Sequence, residues 1–176
     1  PRAARGAKAR MSLAEVMQEL EKAGSEQTRK TYARHGAKNP MFGVAFGTLG
    51  KLQKRIGVDQ ELALALWETG NFDARNLAFK IADPALMTPK DRDRWAHDTE
   101  MSMIALYVSS LTVEGPHASA MAARWLAEKD EVGRRAGWGV VGQMAMRDET
   151  LPDSWFADHL SAIEKGLPSA PNLERG

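Results

Sequence analysis

A chain of 176 residues with 43% hydrophobic content and no cysteine can build the core of one domain without disulfides, and it lacks both thiolate metal ligands and a cysteine nucleophile. Its net charge of +1 hides an asymmetry, because residues 1–80 hold 14 Lys and Arg against 8 Asp and Glu while residues 81–176 hold 10 against 15. No run of about 18 apolar residues is present to span a membrane, and the first ten residues lack the apolar stretch of a signal peptide, so a cytoplasmic protein is expected.

Residues 1–10, PRAARGAKAR, are basic, small and without periodicity, and read as a disordered arm ahead of a repeat domain over 11–176. Ser12 and Glu15 form a capping-box pattern, and Leu13, Val16, Met17 and Leu20 repeat at helical spacing until Gly24. Ser25 caps a second helix through Tyr32, ended by Gly36, and the polar stretch that follows is a loop. Leu49, Leu52 and Ile56 mark a third helix, closed by Gly57. Asp59 caps a fourth, with Leu62, Ala63, Leu66 and Trp67 on one face up to Gly70, and Asn71 caps a fifth that stops before Pro84.

Thr88 and Pro89 are an N-cap and first-turn proline opening a short helix through Trp95. Met101, Ile104, Val108 and Leu111 line a longer helix, broken at Gly115 and Pro116. Ala118 to Trp125, Asp130 to Met144, and Asp153 to Ile163 give three more. About ten short helices, paired at intervals of roughly 35 to 45 residues, predict an all-α, HEAT-like α-solenoid. A plain bundle uses fewer and longer helices.

Motifs for common chemistries fail on context. Gly137-Trp138-Gly139-Val140-Val141-Gly142 spells the dinucleotide fingerprint, but it lies within a helical pattern with no strand before it, so close helix packing accounts for its glycines better. His35, His97, His117 and His159 have no partner at the usual ligand spacings, so neither a metal nor a cofactor is expected. No nucleophile elbow or phosphate-cradling loop appears.

Basic residues remain. Arg29, Lys30, Arg34 and Lys38, followed by Lys51, Lys54 and Arg55, recur at spacings that align charges on helix faces, where they either contact phosphates or form a solvated exterior. Arg134 and Arg135, one turn from Trp138, form a second cluster suited to a phosphate and a stacked base or sugar, although Trp138 also suits a core.

The phrases Tyr32-Ala33-Arg34-His35-Gly36, Met41-Phe42-Gly43-Val44, Leu66-Trp67-Glu68-Thr69-Gly70, Ala74-Arg75, Ile81-Ala82-Asp83-Pro84 and Arg134-Arg135-Ala136-Gly137-Trp138, in this order, resemble the AlkD-like DNA alkylation repair family. The resemblance extends over nearly all of Met11 to Pro171. It implies a C-shaped HEAT-like solenoid that holds duplex DNA on a basic concave face, and a cofactor-free glycosylase activity on N3- and N7-alkylated purines. In such an enzyme one carboxylate stabilises the positive charge that develops on the sugar.

Tyr32 and Arg135 match the family's tyrosine on the second helix and its arginine beside the lesion. The family's Trp-Asp-x-x-Asp falls on Ser102 to Leu106, so Leu106 stands where the catalytic aspartate is expected and no catalytic residue is assigned. The helix reads as apolar around much of its girth, as a buried element would. The family's C-terminal repeat also has no counterpart before Gly176.

The expected function is therefore a monomeric DNA-binding protein of this family, engaging duplex DNA, alkylated or not, through Tyr32, Arg34, Lys51, Lys54, Arg55, Arg134 and Arg135, without base excision. An active glycosylase using Asp98 or Glu100, and a protein-interaction scaffold, are the alternatives.

Overall fold

Helix starts are set by side chains that satisfy the first free N–H groups. In the computed structural model, which describes residues 10–99, 102–148 and 150–166 and the side chains of all of these but 102–104, ten helices and no strand occur among the described residues. Ser12, Ser25, Asp59, Asn71, Thr88 and Asp130 each accept from a first-turn N–H as N-caps. Thr88 closes a capping box with Asp91, as Ser12 does with Glu15. No helix among the described residues is long and apolar enough to cross a membrane.

The chain divides between Asp83 and Pro84 into two compact units. The first holds α1 (Leu13–Ala23), α2 (Glu26–Arg34), α3 (Phe46–Ile56), α4 (Gln60–Glu68) and α5 (Phe72–Ile81). Helix α5 packs on α1, α3 and α4, and it is buried around almost its whole circumference through Phe72, Ala74, Leu77, Ala78, Phe79 and Ile81. Such a helix belongs at the centre of its unit. Val16, Leu20, Leu49, Leu52, Leu66 and Trp67 complete the core around it.

The loop between α2 and α3 is organised by one buried acid. Asp73, in the first turn of α5, is fully buried. Its Oδ2 accepts from the N–H groups of Phe42 and Gly43 at 2.7 and 3.0 Å, and its Oδ1 accepts from Val44 N–H at 2.8 Å. The loop returns the bonding: Pro40 O accepts from Phe72 N–H and Gly43 O accepts from Ser25 N–H. Gly43 has φ +80°, and a Cβ there would lie 2.4 Å from Ser25 O, so only glycine lets the loop pass this close to the start of α2. The loop's backbone is thereby paired where water is excluded.

Of the expected basic arm, residues 1–9 lie outside the described residues and Arg10 is held by the first unit. Arg10 pairs with Asp59, the N-cap of α4, and with Glu61. The guanidinium is the main cause of a lowered Asp59 pKa, which burial opposes and Leu62 N–H reinforces.

The second unit holds α6 (Pro89–His97), α7 (Ser102–Val113), α8 (Ala118–Leu126), α9 (Glu131–Arg147) and α10 (Asp153–Gly166). Here α9 is the central helix, packed on α6, α7 and α8. Its glycines allow the approach: a Cβ on Gly137 would lie 2.9 Å from Leu126 N, and one on Gly139 would lie 2.3 Å from Ser109 Oγ. The fingerprint-like string is thus a packing feature at two of its three glycines, whereas Gly142 faces open space. A fully buried Arg92 donates to the carbonyls of Met87 and Pro84, tying down the segment before α6.

Two outcomes test this account. Asp73→Ala strands three N–H groups and should lower stability by about 3–5 kcal/mol, read from the urea midpoint; a loss below about 1 kcal/mol would mean that the loop finds other acceptors. Because the folded-state pKa of Asp59 is lowered, the stability from its pair with Arg10 is complete above the ordinary aspartate range and is lost as pH falls below that range through the lowered folded-state value. The melting-temperature difference between wild type and Arg10→Ala should therefore be largest near neutrality and vanish in acid.

Candidate nucleic-acid interface

Helix α3 buries Leu49 and Leu52 and turns Gly47, Lys51, Lys54 and Arg55 outward. A Cβ on Gly47 or Gly50 would meet nothing within 4 Å, so packing does not require glycine at either place. Each costs helix stability of up to about 1 kcal/mol relative to alanine. The result is an exposed, cationic helix face with no side chain at Gly47 or Gly50.

The three cations of α3 are not equivalent. Arg55 is held by both oxygens of Glu19 on α1, at 2.7 and 2.8 Å. That carboxylate raises the Arg55 pKa, and the guanidinium lowers that of Glu19. Among the described residues neither Lys51 nor Lys54 has an ion-pair partner, which leaves their charges available to a polyanion.

On α2, Arg34 is exposed at the last helical position, with only a 3.4 Å bond from Nη2 to Thr31 Oγ1. Lys30 pairs with Glu26, and Arg29 donates to Phe42 O. Tyr32 sits among the core residues, 8% exposed. Its ring packs on Phe46 and Phe72, and its hydroxyl donates to Val44 O at 2.8 Å. Its visible task is to fasten the loop that Asp73 organises.

In the second unit Arg134 and Arg135 divide their labour. Arg134 Nη1 donates to the carbonyls of Glu128 and Lys129 at 3.0 and 2.6 Å and so closes the turn between α8 and α9. Arg135 is half-buried, and its one hydrogen bond recorded among the described residues runs from Nη2 to Thr99 O at 3.3 Å. Its Nε is buried without a partner. Burial lowers its pKa, with Asp130 opposing at longer range, yet a guanidinium stays charged at neutral pH. A half-desolvated cation with spare donors and, among the described residues, no paired carboxylate is an arrangement that an oxyanion completes.

Leu106 on α7 is 53% exposed, so the helix is not buried around its whole girth as its composition implies. At this position an apolar side chain faces solvent. Of the alternative acids, Asp98 is half-buried at the C-cap of α6 and pairs with Arg94 at 3.6 Å. Glu100 and Met101, and the side chains of Ser102, Met103 and Ile104, lie outside the described residues. Trp138 is half-buried and stands edge-on to His159 of α10.

Sequence reading passed over Asp73, Arg92 and the acids around His97. Asp73 carries a faint signal, an acid two residues after the Asn71 cap, but three acceptor bonds to a loop thirty residues away leave no local trace. His97 has Asp93 four residues before it on the same helix, a spacing that a search for paired histidines does not register.

The profile of a family described as DNA alkylation repair enzyme matches residues 16–173. A solved structure described as belonging to "a new family of proteins related to the HEAT-like repeat DNA glycosylases with affinity for branched DNA structures" superposes with a TM-score of 0.86 at 35% identity, covering 94% of this chain and 72% of its own. The protein Lin0241 of Listeria innocua is 23% identical over 131 residues, 71% of this chain. The chain spans 58% of that relative's length. With an all-helical fold among the described residues, a HEAT-like solved relative and a family match over most of its length, the chain belongs to the DNA alkylation repair enzyme family.

Proposed function

We propose that this protein binds DNA by its sugar-phosphate backbone, using Arg135 in the second unit and Lys51, Lys54 and Arg34 in the first, and that it does not excise bases. The observation that carries the reading is Arg135, a half-buried guanidinium whose buried Nε has no partner among the described residues, in a chain whose family acts on DNA. A phosphate would supply the missing acceptors and the missing countercharge together. The solved relative's affinity for branched structures makes three-way and four-way junctions the first DNA targets to compare with plain duplex.

The case against excision rests on position 106. The sequence resemblance places the family's catalytic carboxylate there, and the residue is an exposed leucine, which offers no charge to a developing sugar cation. Asp98, the described alternative, is engaged by Arg94.

Binding measured by fluorescence anisotropy should weaken with salt, with a log-log slope of about 0.9 per phosphate contact. Arg135→Ala should weaken it by about 10-fold or more, the range of a charge-assisted bond. The Lys51→Ala/Lys54→Ala double variant should remove about 1.8 from the slope, whereas Arg55→Ala, already neutralised by Glu19, should change it little. Salt-independent binding, or equal effects of Arg55 and the lysines, would contradict the proposal.

Stability separates the two adjacent arginines. Arg134→Ala should cost about 1–2 kcal/mol through its two lost carbonyl bonds, while Arg135→Ala should leave the urea midpoint nearly unchanged. Incubation of the wild type with methylated duplex DNA should release no 7-methylguanine; release that Asp98→Asn abolishes would establish the glycosylase reading instead.

A further inference from the structure

The end of α6 meets the turn between α8 and α9 in a cluster of one histidine and three acids. His97 Nδ1 lies 2.7 Å from the backbone carbonyl of Asp93. A carbonyl only accepts, so Nδ1 carries the hydrogen and the neutral ring presents a lone pair at Nε2. That lone pair faces Glu128 Oε2 at 2.9 Å and Asp130 Oδ2 at 3.6 Å. Asp93 Oδ1 stands 3.9 Å from Nδ1. A lone pair turned toward carboxylate oxygens is repulsive until a cation sits between them.

The carboxylates are held in place by further contacts. Asp93 accepts from Arg124 Nη2 at 2.9 Å and from Trp125 Nε1 at 3.1 Å. Asp130 Oδ2 accepts from Gly133 N–H at 3.0 Å. Glycine at residue 133 leaves Glu128 room for this placement, since a Cβ there would fall 1.8 Å from its Oε2. Ligand atoms of Asp93, His97 and Glu128 all lie within 4.8 Å of one another.

We propose that Asp93, His97 and Glu128 bind a divalent transition-metal ion of the zinc class, with Asp130 able to add a fourth oxygen. The chemistry of the donors fits: one imidazole and carboxylate oxygens suit zinc, and a tetrahedral site with bonds of about 2.0–2.1 Å separates its ligand atoms by roughly 3.3 Å. The Nε2 distances to Glu128 and Asp130, 2.9 and 3.6 Å, bracket that value, and the Asp93 ligand atom lies farther out, within 4.8 Å of those of His97 and Glu128. The bond from Nδ1 to a backbone carbonyl is the contact that commonly orients a metal-binding imidazole. The ligands come from α6 and from the α8–α9 turn, so the ion would join two elements that otherwise meet through side-chain hydrogen bonds, and Arg134 donates to the backbone of that same turn.

The test uses the full chain, freed of metal by a chelator and titrated with zinc chloride by calorimetry, with cobalt(II) chloride followed by visible absorption as a second probe. One zinc per chain, a raised melting temperature that chelator reverses, and tetrahedral cobalt bands are expected. His97→Ala and Glu128→Ala should each weaken binding at least tenfold. Should a variant misfold, the wild-type His97 ring resonances decide the matter, since zinc must shift them. No zinc uptake, unshifted His97 resonances, or undiminished affinity in a folded His97→Ala would overturn the proposal and leave the cluster held by a proton alone.

Discussion

One buried carboxylate with three backbone donors carries the first unit. Without Asp73, the Phe42 to Val44 segment would hold N–H groups away from water with nothing to accept from them, and each such group costs about 1–3 kcal/mol. With it, the loop is drawn onto the first turn of α5. Tyr32 can then reach Val44 O, and α3 starts in a place where Leu49 and Leu52 meet the core. The exposed lysines of α3 thus owe their position to an acid that never touches them. The charge is tolerable in the interior because it lies at a helix N-terminus, where the peptide dipoles favour an anion.

The second unit solves the same problem differently. Its central helix carries glycines where α5 carries alanines and large apolar residues, so neighbours come close to its backbone. Arginine side chains, rather than a buried aspartate, donate to backbone carbonyls around it. Arg92 binds two carbonyls and Arg135 binds one, and neither meets a carboxylate at ion-pair distance among the described residues. Arg92 is shut in, whereas Arg135 is half-open. That difference in access makes one a structural strut and the other a candidate for an external anion.

The helices were legible in the sequence because their signals are local. Caps such as Ser12, Asn71 and Thr88, and glycine or proline stops, lie within a turn of the ends that they define, and all ten predicted helices are present. The site was legible only in outline. Arg55 and Lys54 are neighbours in sequence and both basic, yet one is matched by a carboxylate 36 residues away and the other is not. Tyr32 carries a resemblance to a DNA-contacting family, but its hydroxyl is satisfied inside the fold. Leu106 lies in an apolar helix and still emerges at the surface. Each of these depends on tertiary pairing, which residue type and spacing do not encode.

The open glycines of α3 set stability against shape. Alanine fits without a clash at Gly47 and Gly50, and each replacement should strengthen the helix by roughly 0.5–1 kcal/mol. The natural chain forgoes a thermal reserve that one methyl group at each place would provide. What it keeps is bare main chain beside two ammonium groups, where, on the function proposed, a DNA backbone would lie closer to the helix axis than any side chain permits.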